Sequence, residues 1–402
     1  MADSLSLLYE RLIDQTPIKF HRSLYNEFNL KSRLTGLVGP RGVGKTTLIL
    51  QYIKEQLSQR NDVFYFSADH IYFNQTSVYD YVERLYLHEG IRVVFIDEIH
   101  RYKNWSQEIK NLYDGFPDLY IIFSGSSSLD LIKGSYDLSR RAKMLHLPGL
   151  SFREYLNYRA GLSVDAVDME TLIKFPKKLG SEISQIPKLL GYFKEYLKQG
   201  YYPFEAADSL DYSQRVLRVI EKTIDEDIAN FYKLKTENLF YFRKILTFLA
   251  SIPPGEISIN NLAQSMGVDA KTITNYLIML DATGLTHSIY SVEVGNKGLT
   301  RPTKVFLNNT TLLYALESTI GSQVHTGTMR ELFFIQMVKN AKLDIFHSKA
   351  GDYSVNGRIF EIGGKNKKHT QIKDIENAFI VKDDSLIASY REIPLVYFGF
   401  LY

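Results

Sequence analysis

The first third of the chain alternates short apolar runs with amphipathic segments. Apolar runs cover residues 34–38, 63–66, 93–96 and 119–123, and residues 47–53 carry apolar positions at helical spacing. Short runs of this kind are typical of strands that are buried on both faces of a parallel sheet. The pattern therefore predicts an α/β core in which helices connect parallel strands.

The middle of the chain has a helical pattern instead. Apolar residues recur at i, i+3 and i+4 over 189–197 and 214–220, within a stretch that extends from residue 151 to about residue 241. We interpret this stretch as a helical lid and linker.

A different arrangement follows the lid. Residues 257–269 and 271–280 predict two helices separated by a tight turn, and a hairpin that ends at residues 304–307 follows them. Helix, turn, helix and ribbon is the order of a winged helix. In DNA-binding proteins of this type, the second helix enters the major groove. The residues that would contact DNA are Lys271, Thr272, Thr274, Asn275 and Lys297.

The charge of this second helix leaves an alternative open. It carries only one lysine and is flanked by aspartates, whereas phosphate contacts dominate the affinity for DNA. A lid or a protein-docking module is the competing interpretation of the same pattern.

Composition narrows the class of protein. At 402 residues the chain is long enough for about two to four domains, and its net charge of +3 requires any basic patch to be local. The absence of cysteine excludes disulfides, thiolate zinc sites and a cysteine nucleophile. No signal peptide and no run of membrane-spanning length is visible, so we expect a cytoplasmic protein without a membrane partner.

The loop after the first apolar run fits the pattern G-x-x-x-x-G-K-[ST] of phosphate-binding loops. Its glycines allow a tight turn, so that successive N–H groups converge on phosphate oxygens at the start of a helix. We expect Lys45 to reach the β- and γ-phosphates of ATP and the Thr46 hydroxyl to bind Mg²⁺. A glycine-rich turn without a ligand is the alternative. The residues that would contact ATP are Gly39, Pro40, Arg41, Gly42, Val43, Gly44, Lys45, Thr46 and Thr47.

A second motif, which is acidic, completes this predicted nucleotide site. The apolar run 93–96 is followed directly by Asp97 and Glu98. Asp97 is placed to support Mg²⁺, and Glu98 is placed to polarise the attacking water. An acidic turn at the end of a strand is the alternative. Small-molecule kinases share the phosphate loop, but the acidic pair favours water as the acceptor.

The region after the next strand contains further candidates. Ser124, or as second choice Ser126, could hydrogen-bond the γ-phosphate or the attacking water, although a serine-rich turn explains the residues equally well. Arg140 could stabilise charge in the transition state, in its own or in a neighbouring subunit, and a solvated charge pair is the alternative.

Taken together, these motifs resemble the prokaryotic AAA-type P-loop ATPases that carry a winged helix and a C-terminal restriction-endonuclease-like domain of unknown function. The resemblance rests on residues 39–46, 95–98, Trp105, 123–127 and 148–155. It implies an ATPase core of the additional-strand type. The domain limits that we expect are 1–150 for the core, 151–241 for the lid, 242–308 for the winged helix and 309–402 for the C-terminal domain.

The C-terminal domain has three carboxylates in an order that resembles a PD-(D/E)xK nuclease. Glu331 lies on a predicted helix, and Asp352 and Glu361 lie at two predicted strands, from which they could converge on Mg²⁺. The motif requires lysine two residues after the glutamate, but Gly363 stands there. Lys365 could replace it only through a bulge at Gly363 and Gly364. We therefore expect a vestigial metal site and a nuclease fold without robust cleavage.

A basic run lies beside these carboxylates. It contains Lys365, Lys367 and Lys368, and it indicates either contact with a nucleic-acid backbone or a solvated loop.

Two functions follow from these observations. The first is a Mg²⁺-dependent ATPase that acts on double-stranded DNA or is regulated by it. The second is a nucleotide-dependent switch that docks a protein partner, without DNA or nuclease activity. Either function is compatible with a homo-oligomer.

Overall fold

The computed structural model describes residues 2–125, 138, 141–205, 207–291, 301–321 and 323–402. The chain divides into two compact units, Met1–Gly149 and Leu150–Tyr402. The finer division into four domains stays a prediction. In the described part of the chain, no helix has both the length and the apolar character needed to cross a membrane.

The first unit is built from parallel strands connected by helices. Its regular elements, in chain order, are α1 (Ala2–Gln15), β1 (Leu34–Val38), α2 (Lys45–Gln56), β2 (Val63–Ser67), α3 (Val78–His88), β3 (Val93–Asp97), α4 (Trp105–Gly115), β4 (Tyr120–Gly125) and β5 (Lys143–His146).

All strands of the first unit pair in parallel in the order β2-β3-β4-β1-β5. Strand β4 therefore lies between β1, which precedes the phosphate loop, and β3, which ends in Asp97. Because parallel strands present their carboxyl ends at one edge of the sheet, the loop and the acidic pair reach the same edge. The predicted α/β class with a parallel sheet is confirmed.

Burial explains which strands the sequence pattern could predict. Every residue of β1 and β3 is buried, which accounts for their apolar runs. Strand β5 was not predicted, because it forms the edge of the sheet and only Leu145 of its four residues is buried.

The second unit begins with helices and ends with a mixed sheet. Its elements are α5 (Phe152–Ala160), α6 (Met169–Lys174), α7 (Pro176–Ile183), α8 (Leu189–Gln199), α9 (Ser209–Lys222), α10 (Ala229–Tyr232), α11 (Thr236–Ser251), α12 (Ile259–Met266), α13 (Ala270–Ala282), β6 (Thr286–Ile289), β7 (Lys304–Leu307), α14 (Thr310–Ile320), α15 (Thr326–Asn340), β8 (Ile345–His347), β9 (Tyr353–Val355), β10 (Arg358–Gly363), β11 (Ala378–Lys382) and β12 (Glu392–Pro394).

Side-chain caps mark the starts of two helices in this unit. Ser151 and Glu154 form a reciprocal capping box at the start of α5. Asp269 caps α13 by accepting a hydrogen bond from the backbone of Thr272. Both caps satisfy N–H groups that the first helical turn leaves without partners.

The second unit has two sheets in its described part, one before and one after α14 and α15. Strands β6 and β7 pair in antiparallel fashion after α12 and α13. The last sheet has the order β12-β11-β10-β9-β8, with parallel pairing on the β11 side of β10 and antiparallel pairing on the β9 side. This sheet carries Glu361 in its central strand.

Candidate nucleotide-binding site

The phosphate loop adopts a backbone that only glycine accommodates at three positions. Gly42 and Gly44 have φ values of +83° and +95°, in the left-handed region. Gly39 has no such φ, but a Cβ atom there would lie 2.1 Å from the carbonyl oxygen of Leu147. The glycines that the sequence pattern singled out are thus required by the local geometry.

Lys45 lies over the loop that precedes it. It is the first residue of α2 and is buried, and its Nζ atom donates to the carbonyl oxygens of Gly39 and Pro40, each at 3.0 Å. The ammonium group is thereby held beside the helix N-terminus, where backbone N–H groups and the helix dipole favour anions. Lys45 and this helix terminus together provide the positive charge that a phosphate group requires.

Arg22 fixes the loop from behind and was not predicted from the sequence. Its guanidinium donates to the carbonyl oxygen of Val43 at 2.7 Å, and to those of Pro148 and Gly149 at 2.7 and 3.0 Å. The residue is buried. A lone arginine before the first strand carries no motif, so its role depends on contacts that only the fold reveals.

Asp97 is the centre of a hydrogen-bond network at the ends of three strands. Its carboxylate accepts hydrogen bonds from the hydroxyl of Thr46 at 2.5 Å, from that of Tyr65 at 3.0 Å and from that of Ser124. The donors lie on α2, β2 and β4, and Asp97 and Ser124 are both buried. The structure thus brings together Thr46, Asp97 and Ser124.

Tyr65 is a further member of this network that the sequence did not reveal. Burial, together with the charge of Asp97, raises the pKa of Tyr65 far above its ordinary value. Its hydroxyl is therefore always protonated and acts as a donor to the carboxylate. A tyrosine in an apolar strand has no signal that distinguishes it from a core residue.

Glu98 follows Asp97 in a strained backbone conformation. Its φ is +51°, which is uncommon for a residue other than glycine and typical of functional sites. Its N–H group donates to Asp97 Oδ1 at 3.1 Å and to Ser124 Oγ at 3.3 Å. The chain thus turns directly after β3, while the backbone of Glu98 stays tied to the network.

The carboxylate of Glu98 lies beside the side chains of a histidine and an arginine. Its Oε2 atom is 3.7 Å from Nε2 of His100 and 3.9 Å from Nε of Arg101, and Arg101 also contacts Asp69 at 3.1 Å. The Glu98 side chain is 25% exposed, so it has access to water from solvent. A carboxylate in this position can accept a proton from a water molecule at the carboxyl edge of the sheet.

Two predicted residues of the first unit cannot be placed. Ser126 and Arg140 lie outside the described residues. Of the remaining loop residues, Thr47 is exposed at the start of α2.

The predicted DNA-contacting side chains at α13 are only partly available. Lys271 and Asn275 are exposed. The Thr272 hydroxyl donates to Asp269 at 2.7 Å, and the Thr274 hydroxyl donates to the Ala270 carbonyl at 2.9 Å. The hydrogen bonds from Thr272 lower the pKa of Asp269, so a negative charge stays at the start of this helix. Lys297 lies outside the described residues.

The three C-terminal carboxylates are each engaged by other groups. Glu331 accepts hydrogen bonds from Lys304 Nζ at 2.9 Å and from the Tyr353 hydroxyl. Asp352 accepts from the Ile362 N–H at 2.7 Å. Across the residues that the structure describes, no three His, Asp or Glu side chains form a group able to hold a metal ion. The structure does not arrange Glu331, Asp352 and Glu361 as a metal centre.

Lys367, rather than Lys365, lies against the predicted nuclease glutamate. Its Nζ atom pairs with Glu361, and its side chain covers Gly363 so closely that a Cβ there would lie 2.7 Å from three of its carbons. The lysine side chain therefore fills the space that a side chain at position 363 would occupy. Lys365 and Lys368 are exposed.

Comparison with protein families assigns two parts of the chain. Residues 31–156 match the family model described as AAA domain, and residues 190–323 match a domain of unknown function, DUF8612. The AAA match includes the phosphate loop, Asp97, Glu98 and Ser124.

Among curated proteins, the chain is similar to two uncharacterized proteins of Methanocaldococcus jannaschii. It is 31% identical to MJ1637 over 295 residues, which are 69% of this chain and 61% of that protein. It is 21% identical to MJ1544 over 389 residues, which are 92% of this chain and 82% of that protein.

Among solved structures, the chain is similar to AMPPCP-bound DnaA from Aquifex aeolicus and to PCH-2 from C. elegans. The DnaA match has 15% identity and a TM-score of 0.27 and covers 68% of this chain and 86% of DnaA. The PCH-2 match has 14% identity and a TM-score of 0.26 and covers 69% of each chain. These TM-scores are too low to support a conclusion. The likeness therefore rests on the family model, by which residues 31–156 are similar to the AAA domain.

Proposed function

We propose that the protein is a Mg²⁺-dependent ATPase. The observation that carries the proposal is the convergence of Lys45, Thr46, Asp97 and Ser124 at one edge of the parallel sheet, with Glu98 directly beside them. Thr46 and Asp97 offer the oxygen ligands that Mg²⁺ prefers, and Mg²⁺ would neutralise charge on the phosphates. Lys45 would bind the β- and γ-phosphates in exchange for its loop carbonyls.

In this mechanism Glu98 acts as the general base. Its carboxylate accepts the proton of the attacking water, and Ser124 keeps the backbone of Glu98 in place through its hydrogen bond to the N–H group. Tyr65 and Ser124 orient the Asp97 carboxylate, so that one oxygen faces Thr46. Positioning of this kind supplies most of the catalysis in phosphoryl transfer.

The test is the substitution Glu98→Gln, which keeps the size of the side chain and removes its basicity. We expect ATP binding to persist and turnover to fall by about 10²- to 10⁴-fold. Glu10→Gln, at an exposed position of α1, is the matched control and should leave turnover unchanged. A Glu98→Gln protein that hydrolyses ATP at the parent rate would overturn the assignment.

For the second unit, our more specific hypothesis is that it acts on DNA. It is supported by the order α12, α13, β6 and β7, which is that of a winged helix, and by the exposed Lys271 at the start of α13. The charge of Asp269 beside Lys271 supports the competing hypothesis of a switch that docks a protein partner. A homo-oligomer and a cytoplasmic location also stay predictions.

Salt-dependent binding to duplex DNA separates the two hypotheses. If α13 contacts phosphates, Lys271→Ala weakens binding and reduces its dependence on salt, whereas Lys194→Ala, at an exposed position of α8, does not. Absence of DNA binding at low salt would favour the protein-docking switch. ATP turnover measured with and without DNA would then show whether the two activities are coupled.

For the C-terminal region we propose a nuclease-like fold without robust cleavage. The proposal is supported by the lysines that engage two of its carboxylates, Lys304 on Glu331 and Lys367 on Glu361. The test is incubation of plasmid DNA with the protein and Mg²⁺ or Mn²⁺. Cleavage that disappears in Glu361→Ala and Lys367→Ala would contradict it.

A further inference from the structure

The second unit contains a cavity that neither the ATPase proposal nor the DNA hypothesis uses. Its volume is about 720 Å³. It is lined by residues of α5, of α8, of the start of α9 and of the segment between α8 and α9. A volume of this size is within the usual range for small-molecule sites.

Aromatic side chains form part of the cavity walls. Tyr155, Tyr158, Tyr202, Phe204 and Tyr212 all line it. The rings of Tyr202 and Phe204 are stacked, with centroids 5.2 Å apart and planes at 10°. Hydrogen bonds between Tyr202 and Tyr212 fix this wall, since the Tyr202 N–H donates to the Tyr212 hydroxyl at 3.1 Å and that hydroxyl donates to the Tyr202 carbonyl at 3.0 Å.

The charged residues around the cavity are mostly acidic. Among the described residues, Glu195, Glu205 and Asp208 line it together with one cation, Arg159. Arg159 Nε is 3.7 Å from Glu195 Oε1, so the arginine offsets one of the three carboxylates. The lining therefore has a net negative charge, which disfavours phosphates and favours cations.

The Tyr155 hydroxyl adds a polar group to this wall. Tyr155 is buried, and its hydroxyl makes no hydrogen bond with any group in the described part of the chain. Burial raises the pKa of the Tyr155 hydroxyl, and the nearby Glu195 carboxylate raises it further. Buried hydroxyls are normally hydrogen-bonded, so an incomplete one on a cavity wall indicates a place where a bound polar group contributes.

We propose that this cavity binds an organic cation, an ammonium or guanidinium group held between aromatic faces and carboxylates. Aromatic rings attract cations through the negative charge of their faces, and neighbouring carboxylates add direct ionic contacts. Such a group could belong to a free polyamine or to a basic side chain of a peptide. The proposal is independent of the ATPase assignment, because the residues that carry it all lie in the second unit.

The test is calorimetric titration of the full chain, in the absence of nucleotide, with two cationic probes. Spermidine represents a free polyamine, and a short neutral peptide with one arginine represents a basic side chain. The same peptide with citrulline in place of arginine keeps the shape and removes the charge. Tighter binding of spermidine or of the arginine peptide identifies the source of the cation.

Substitutions at the cavity connect binding to the site. Glu205→Gln removes a charge at an exposed position, and Phe204→Leu removes an aromatic face while it keeps an apolar side chain. We expect each substitution to weaken binding by about tenfold, whereas Glu182→Gln, at an exposed position that does not line the cavity, leaves it unchanged.

Two outcomes would overturn the proposal. One is that neither spermidine nor the arginine peptide gives saturable binding, or that the citrulline peptide binds as tightly as the arginine peptide with no binding of spermidine. The other is that Glu205→Gln and Phe204→Leu proteins, folded by circular dichroism, bind the probes as tightly as the parent.

Discussion

The Tyr65 hydroxyl donates a 3.0 Å hydrogen bond to the same Asp97 oxygen that accepts from Thr46. Tyr65 and Asp97 lie on the neighbouring strands β2 and β3, which pair so that Ser67 is opposite Asp97. Asp97, the residue that we expect to support Mg²⁺, is therefore oriented by the adjacent strand as well as by its own.

The first prediction concerns this hydrogen bond. Tyr65→Phe removes a buried donor to a carboxylate, and we expect a loss of about 1.5–3 kcal/mol in the free energy of unfolding. Chemical denaturation measures the loss, and a titration with Mg²⁺ and ATP measures the effect on affinity. The control is Tyr79→Phe, because the Tyr79 hydroxyl contacts Glu83 at 3.3 Å near the surface. This substitution should lower the free energy of unfolding much less. Equal losses in both variants would show that Asp97 does not depend on Tyr65.

The second prediction concerns the close approach at Gly39. Gly39→Ala places a Cβ atom 2.1 Å from the Leu147 carbonyl oxygen, so the backbone has to move. We expect a cost of about 1–3 kcal/mol in stability and a clear loss of ATP affinity. Gly115→Ala is the matched control, because a Cβ there meets no atom within 4 Å. Nucleotide binding by Gly39→Ala at the parent affinity would show that the close approach of Gly39 to Leu147 does not matter for the site.

The third prediction concerns the buried ion pair of Lys304 and Glu331, whose side chains are 8% and 11% exposed. Lys304→Met leaves Glu331 without its cation, at an expected cost of about 3–5 kcal/mol. Combining Lys304→Met with Glu331→Gln should restore most of the loss, since glutamine can still accept from the Tyr353 hydroxyl. Thermal unfolding of the single and double variants measures the coupling. Lys174→Met, from an exposed pair, should cost less than about 1 kcal/mol.

The fourth prediction is a pH dependence due to Asp281. Burial raises the pKa of Asp281 above its ordinary value of 3.8, although Thr286 and Ser288 donate hydrogen bonds to it and the charge of Lys339 opposes the shift. A carboxyl with a raised pKa in the folded state binds its proton more tightly there than in the unfolded chain. Its contribution to stability is therefore present below the unfolded pKa, about 3.9, and is lost as pH rises through the folded pKa.

The measurement is the difference in unfolding free energy between the parent and Asp281→Asn across pH 3.5 to 7. We expect the parent to lose stability relative to the variant as pH rises above about 4. The difference should level off once Asp281 is ionised in both states. A difference that does not change with pH would contradict the shift.

The sequence predicted the parts of this protein that depend on local pattern. Buried parallel strands read as continuous apolar runs, and the loop glycines and Lys45 follow a fixed spacing. Asp97 was predictable because it ends such a run. Ser124 was a candidate for the same reason, since it follows an apolar run near the end of β4, but a serine-rich turn explained it equally well from sequence alone.

The parts that were missed depend on contacts between distant positions. Arg22, Tyr65 and Lys304 acquire their roles from carbonyls or carboxylates on other elements. The same holds at position 363. The side chain that covers Gly363 is that of Lys367, and the turn that brings it there is not specified by the spacing of the motif.

The hydrogen bond from Arg22 to Pro148 joins positions 126 residues apart, and it holds the segment that follows the last strand of the first unit against the phosphate loop. During synthesis, the loop sequence emerges from the ribosome long before the residues that support it. Contacts between positions so distant in sequence form slowly, because the intervening chain has to be closed first. The ability to capture a nucleotide should therefore appear late in folding, and fragments that end before Pro148 should not acquire it.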